Sequence, residues 1–285
     1  MKWTGRTART DAKAFQALGA NALLLGLAVF MVIPLWWIVT TSLRPAAEIY
    51  SSDQTLLPSV VTIDNYVELL TQTKFTGALV NSVIVAAVVT IGGTLFAGLS
   101  GYAFAKFRFP GRDVIFIILI ASMTVPGAVT LLPNFILLSR IGLLDTLWAV
   151  ILPQVALPFA MLWMRQYVRT AVPDSVLEAA RVDGAGPYRT FFSIVAPIIR
   201  PGLAGVGVWL FLGAWNSLLI PLVYLSSNEN YTYPVFLSAL QGNPTLQVTH
   251  LVMAAAVLAT LPVVVVFLAL QRHFVASAAM SIDQG

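Results

Sequence analysis

Charge is distributed along this chain in blocks. Residues 1–13 carry Lys2, Arg6, Arg9 and Lys13 against Asp11, and then no charged residue occurs from Ala14 to Leu43. Further charge-free runs cover 75–105, 114–139, 146–164, 201–225 and 250–270. Each is close to or above the roughly 20 residues that a membrane-crossing helix needs. The pattern predicts six transmembrane helices, at about 17–41, 77–102, 114–138, 146–164, 201–225 and 250–270. Between them lie a turn-rich stretch at 42–74, a tight basic turn at Pro110-Gly111, a charged segment at 165–200 and a polar loop at 226–249. Pro126, Pro133, Pro153 and Pro158 are expected to interrupt spans three and four, freeing backbone groups that neighbouring helices or a water-filled path must satisfy.

A basic start before an apolar run also describes a signal peptide. This run exceeds the usual 7–15-residue signal core, roughly speaking, and ends on Pro34-Leu35-Trp36-Trp37, which reads as an interfacial aromatic belt. It is read as a retained first span.

Composition sharpens the class. Of 285 residues 58% are hydrophobic and 10% charged, against about 25% charged in a soluble protein. So little polar surface calls for lipid as the main solvent, in an all-α membrane protein forming a single domain over 1–285. The lack of cysteine excludes disulfides, thiolate metal sites and a cysteine nucleophile. His250 and His273 are too few and too far apart for a histidine metal cluster, so no metal site is expected; His250, near a span end, reads as a polar interfacial residue.

The net charge of +4 follows from topology and points to no nucleic acid. With six spans both termini share a face. That face, with the 106–113 turn and the 165–200 segment, holds thirteen of the Lys and Arg residues; Arg44, Lys74 and Arg140 are left for the other. Positive charge is retained in the cytoplasm, so both termini and the 165–200 loop are assigned there.

That loop is the one long charged segment between two apolar spans. Pro173 suits the first turn of a helix, Ser175-x-x-Glu178 has capping-box spacing, and Ala179, Ala180 and Arg181 favour helix. Gly184 suits a left-handed helix end. A second amphipathic stretch, 188–196, leads to Pro197 and Pro201. Local physics alone leaves two readings: a loop lying on the bilayer surface, or a small helix–turn–helix offered to a soluble partner.

Catalytic and energising groups are missing from the pattern. None of Lys2, Lys13, Lys74 and Lys106 follows a glycine, so no phosphate-cradling Gly-Lys-Ser/Thr loop exists in the chain. The span centres hold no Asp, Glu, Lys or Arg, unlike ion-coupled carriers. No paired carboxylates or Ser/His/Asp set stand out, so no catalytic residue is expected. What the spans do offer is Trp209, Trp215 and Asn216 in span five and Asn81-Ser82 in span two. Aromatic faces beside amides suit a sugar path; for Trp209 taken singly the stronger reading is packing or an interfacial anchor, and Asn81-Ser82 also read as bonds between helices.

The 165–200 loop resembles the EAA loop of permease subunits of binding-protein-dependent ABC importers: EAA, three residues, G, nine residues, then I-x-L-P. Glu178, Ala179, Ala180, Gly184, Ile194 and Pro197 match, and Asp183 lies within the motif; Ala196 stands at the leucine position. Ser42-Leu43-Arg44-Pro45, Asp64-Asn65-Tyr66, Asn81-Ser82, Phe109-Pro110-Gly111-Arg112, Gly142-Leu143-Leu144-Asp145 and Trp215-Asn216 resemble the carbohydrate-uptake, maltose permease (MalG-like) branch. The resemblance runs over about 35–274; the tail, Ala278-Ala279-Met280-Ser281-Ile282-Asp283-Gln284-Gly285, departs from the family's Gly-rich ending.

The resemblance implies a pore half with a second permease subunit, two ATPase subunits that bind ATP and Mg, and an extracytoplasmic sugar-binding protein. It implies that Glu178 bridges to a basic residue of the ATPase within a coupling helix–turn–helix, and that the 226–249 loop meets the binding protein. A stand-alone channel and a permease for a non-sugar solute are the alternative readings.

Overall fold

The computed structural model describes residues 5–51, 55–242 and 248–282, with side chains described for 18–51, 55–242 and 248–269. Regular structure among the described residues is entirely helical. The chain divides into two compact units, 1–72 with 244–258, and 73–243 with 259–285.

The first unit opens on α1 (Gly5–Ser42), a continuous helix with Pro34 inside it. Two short helices follow, α2 (Ala46–Ile49) and α3 (Asp64–Gln72). The Ser42–Arg44 corner is tied down by polar bonds. Asn65 Nδ2 donates to the carbonyls of Ser42 and Arg44, both at 2.8 Å, and the Ser42 and Tyr66 hydroxyls lie 2.7 Å apart. Arg44 is buried, donating to the Thr55 carbonyl, 3.9 Å from Glu48 and over the Trp37 ring. A charge so placed needs partners at hand, and each of these is local. The long helix α15 (Thr249–Ile282) begins in this unit. His250, expected at an interface, is instead buried, with Nε2 3.6 Å from Glu68.

The second unit is built on α4 (Phe75–Lys106). It has no proline, and two of its hydroxyls bond back to their own helix, Thr90 to Ala86 O and Ser100 to Phe96 O, both at 2.6 Å, so neither is left to be satisfied by lipid. After the Gly111 turn come α5 (Arg112–Ser122) and α6 (Gly127–Arg140), then α7 (Leu147–Val155) and α8 (Pro158–Ala171). Next are α9 (Asp174–Val182), α10 (Pro187–Thr190), a π-helical turn at Phe191–Val195 and α11 (Ala196–Ile198). The unit continues with α12 (Arg200–Trp215), α13 (Leu219–Tyr224) and α14 (Tyr233–Gln241).

Helices α7, α8 and α12 pack along α4. Lipid tails are as apolar as leucine, so close packing rather than water exclusion must hold such helices together. At Gly101 an added Cβ would lie 2.7 Å from both the Arg165 amide nitrogen and Met164 Cβ. The α4 and α8 backbones therefore meet there.

Among the described residues four helical stretches are long and apolar enough to cross a membrane: Leu18–Ser42, Phe75–Lys106, Leu147–Ala171 and Thr249–Ala269. Two bent pairs, Arg112–Ser122 with Gly127–Arg140 at 108° and Pro187–Ile198 with Arg200–Trp215 at 84°, bring the total to six if each is one span. Several expectations change accordingly. Span three folds back on itself at Met123–Pro126 instead of running straight. Pro126 and Pro158 do stand at breaks, one preceding α6 and one opening α8, whereas Pro133 and Pro153 lie inside helices. Span four continues past 164 to Ala171, because Met164 and Val168 extend the buried face of α8. Span five stops at Trp215, short of 225. The tail from 283 and the 243–247 part of the polar loop lie outside the described residues.

Candidate functional site

The α9 segment shows how its sequence folds locally. The helix starts at Asp174, one residue before Ser175, so the Ser175–Glu178 capping box does not form; Pro173 occupies the cap with an extended ψ of 145°. A residue ahead of a proline avoids the α region, and here Val172 before Pro173 is extended and ends α8. Asp174 accepts a 2.7 Å bond from Lys106 Nζ, which also donates to the Val172 carbonyl at 2.6 Å. The bond from Lys106 holds the Asp174 carboxyl below its ordinary range. Helix α9 is thereby fastened at its N-terminus to the end of α4.

Its C-terminus is a full Schellman turn. Gly184 has φ 74°, its N–H donates to Arg181 O at 3.0 Å, and the Ala185 N–H donates to Ala180 O at 2.9 Å. Leu177 and Ala180, three apart, are buried; Leu177 joins a cluster with Val168, Val172, Phe191 and Val195. The opposite face is open. Glu178, Ala179, Asp183 and Gly184 are exposed, as are Val182 at 88% and Tyr188 at 75%. Further on, the sequence-predicted Ile194 is half-buried inside the π turn and Pro197 is exposed. Ala180, 3% exposed, is the one fully buried residue among those of the motif.

The remaining candidates fall in two places. Trp209 is 39% exposed and packs on Phe159, ring centroids 5.0 Å apart, with Trp163 beyond it. Trp215 is 1% exposed, stacked on Phe211 at 5.7 Å and against Tyr233 at 4.9 Å. Asn216 receives a 3.4 Å bond from the Tyr233 hydroxyl. Asn81 donates to the carbonyls of Glu229 and Tyr231 at 2.8 and 3.1 Å, and Ser82 Oγ accepts from the Tyr233 N–H at 2.8 Å. Trp215, Asn216 and Asn81 thus converge on the 226–233 loop, and Trp209 stands apart from them.

A residue without a role in the sequence reading completes that loop. Asp145 sits at φ 57° between α6 and α7. Its Oδ1 accepts the Ser226 and Ser227 N–H groups at 2.8 and 2.9 Å, its Oδ2 the Ser227 hydroxyl, and its carbonyl the Asn230 amide at 2.6 Å. These bonds, the Ser227 hydroxyl first, pull its pKa down to about 2. The Gly142-x-x-Asp145 turn was the available signal, since Asp tolerates the left-handed region better than most residues.

No group of three or more potential metal ligands occurs among the described residues. The arrangement is mechanical in kind: an anchored helix with one open face at one end of the second unit, and a loop pinned by side chains from three elements.

Residues 93–279 match the family described as "Binding-protein-dependent transport system inner membrane component". The chain is 34% identical over 253 residues to the arabinooligosaccharides transport system permease protein AraQ of Halalkalibacterium halodurans, covering 88% of this chain and 90% of that one. It is 32% identical over 283 residues to the diacetylchitobiose uptake system permease protein NgcG of Streptomyces coelicolor, covering 98% and 91%. Its fold resembles a solved bacterial ABC transporter involved in the import of the acidic polysaccharide alginate, with TM-score 0.79 and 24% identity over 96% of this chain and 100% of the other. The buried helical unit, the apolar spans and these matches agree, and the chain belongs to the family of binding-protein-dependent transport system inner membrane components.

Proposed function

We propose that this chain forms half of the translocation pore of an ATP-driven importer for a sugar or oligosaccharide. The observation that carries the reading is its near full-length alignment with permease proteins named for arabinooligosaccharides and diacetylchitobiose. In this reading the chain is one permease domain with six spans and both termini in the cytoplasm. A second permease subunit supplies the other half of the pore, two ATPase subunits bind ATP and Mg, and an extracytoplasmic protein delivers the sugar. The chain itself performs no catalysis.

The open face of α9 and the turn after it is the surface for the ATPase, with Glu178 reaching a basic residue there. Support comes from its exposure and from the anchoring at both ends, which lets a push on α9 reach α4 through Lys106 and α12 through the 187–198 helix. The aromatic pair Phe159–Trp209, with ring faces partly exposed, offers a stacking surface for sugar; Trp215, Asn216 and Asn81 shape the path by holding the 226–233 loop.

The test is a mild-detergent pull-down of the tagged chain from its host, with ATP hydrolysis read on the eluate, for the native chain and Gly184→Val. An ATPase and a second permease are expected with the native chain, and loss or uncoupling of the ATPase in the variant. A chain that comes down alone and moves solute without ATP overturns the reading in favour of a channel.

A further inference from the structure

A polar cavity of about 330 Å³ lies between the α4–α5 turn and α9, lined by Lys106, Arg108, Arg112, Asp174, Glu178 and Arg181 with Ala105 and Leu177. Its cations are unevenly satisfied. Lys106, its side chain only 9% exposed, uses two of its three donors on Val172 O and Asp174. Arg112 pairs with Asp113 at 2.9 Å and bonds the Phe107 carbonyl at 3.4 Å. Arg108 and Arg181 make no hydrogen bond or ion pair among the described residues, and the one carboxylate left unpaired in the wall is Glu178. Two guanidinium groups free of hydrogen bonds and a nearly buried ammonium with a donor to spare line one polar space, which Arg181 shares with the Asp174 carboxylate it attracts. That is the geometry that recognises a phosphate, whose oxygens accept several charge-assisted bonds at once.

A second feature distinguishes the kind of phosphate. Arg108 and Arg112 also line a neighbouring cavity of about 340 Å³ with Phe109, Gly111, Val114 and the carboxylate of Asp113, with which Arg112 pairs. From there α5 presents Val114, Ile117 and Ile118, each at least 60% exposed, and no residue of α5 is buried. A ligand with an anionic head and apolar chains fits this continuation: the head among the arginines, the chains along α5.

We propose that this cavity is a site for the phosphate of an anionic glycerophospholipid, whose acyl chains lie along the apolar face of α5. The site joins the end of α4, the start of α5 and the coupling helix α9 through one ligand, so lipid occupancy stiffens α9 against the membrane helices. It depends on the chain being a membrane protein and not on which solute it carries.

The probe is phosphatidylglycerol. The tagged full-length chain is extracted from membranes or nanodiscs of phosphatidylcholine with and without phosphatidylglycerol, and retained lipid is counted by native mass spectrometry. Retention of phosphatidylglycerol over phosphatidylcholine is expected, falling at least tenfold for Arg108→Gln with Arg181→Gln, which remove two charged donors; tenfold corresponds to about 1.4 kcal/mol. Glu178→Gln, which removes the opposing carboxylate, is expected to raise retention; a fold-disrupting substitution would lower it. Excess inorganic phosphate is the arm for a free ion. Unchanged retention in the double variant, a fall in Glu178→Gln, or full displacement of the lipid by inorganic phosphate each overturns the lipid assignment. Co-purification of the ATPase, read on host-membrane extracts of the native chain, reports separately on the importer reading.

Discussion

A methyl group added at Gly184 and one added at Gly101 would fail for different reasons. At Gly184 an added Cβ meets nothing within 4 Å, so the penalty is the left-handed backbone alone, φ 74°, on the order of 1–2 kcal/mol. Gly184→Val is therefore expected to insert and fold but to lose sugar uptake per ATP hydrolysed, measured in reconstituted vesicles; full coupling in that variant would count against a mechanical role for the turn. At Gly101 the new Cβ would lie 2.7 Å from the Arg165 amide nitrogen, an atom that cannot rotate away. Gly101→Ala should lower the thermal unfolding midpoint in detergent, by the roughly 1–3 kcal/mol typical of overpacking. The Gly184 requirement was legible in the sequence because helix-ending chemistry is local. The Gly101 contact was not, since the partner backbone lies more than sixty residues further along the chain.

Among the elements, the 226–233 loop owes its shape to groups outside it, and Asp145 is the one that titrates. Its folded pKa of about 2 lies below the ordinary 3.8. Stability from such a depressed carboxyl is present in full above about 3.8 and is lost as pH falls towards about 2. Hydrogen-exchange protection of the Ser226 and Ser227 amides, after correction for intrinsic rates, should fall across that window in the native chain. In Asp145→Ala it should be low throughout. Protection that ignores both changes would show the loop to be held by Asn81 and Tyr233 alone. The same elements mark where sequence reasoning stopped. Span existence followed from charge-free length, but the 108° fold-back of α5 on α6 and the 84° bend at Ile199 do not alter that length. The π turn is equally invisible: Phe191, Val195 and Ile199, buried together, keep the four-residue spacing of an ordinary helix.

For the whole molecule, orientation is the property on which the coupling role depends, and it rests on charge alone: thirteen Lys and Arg on one proposed face against three on the other. Of those three, Arg44 is buried and donates to the Thr55 carbonyl, and Lys74 lies 3.5 Å from Glu229. The chain has no cysteine, which allows single-cysteine labelling without background. Leu56 and Tyr188, 78% and 75% exposed, are the positions to use, in cells lacking the ATPase so that nothing covers α9. A membrane-impermeant maleimide should label Leu56→Cys in spheroplasts and Tyr188→Cys only in inverted vesicles. The reverse pattern would put α9 on the side without ATP. No push from an ATPase could then reach α4 through Lys106 or α12 through the bent helix, and the coupling role would fall even though the family assignment stood.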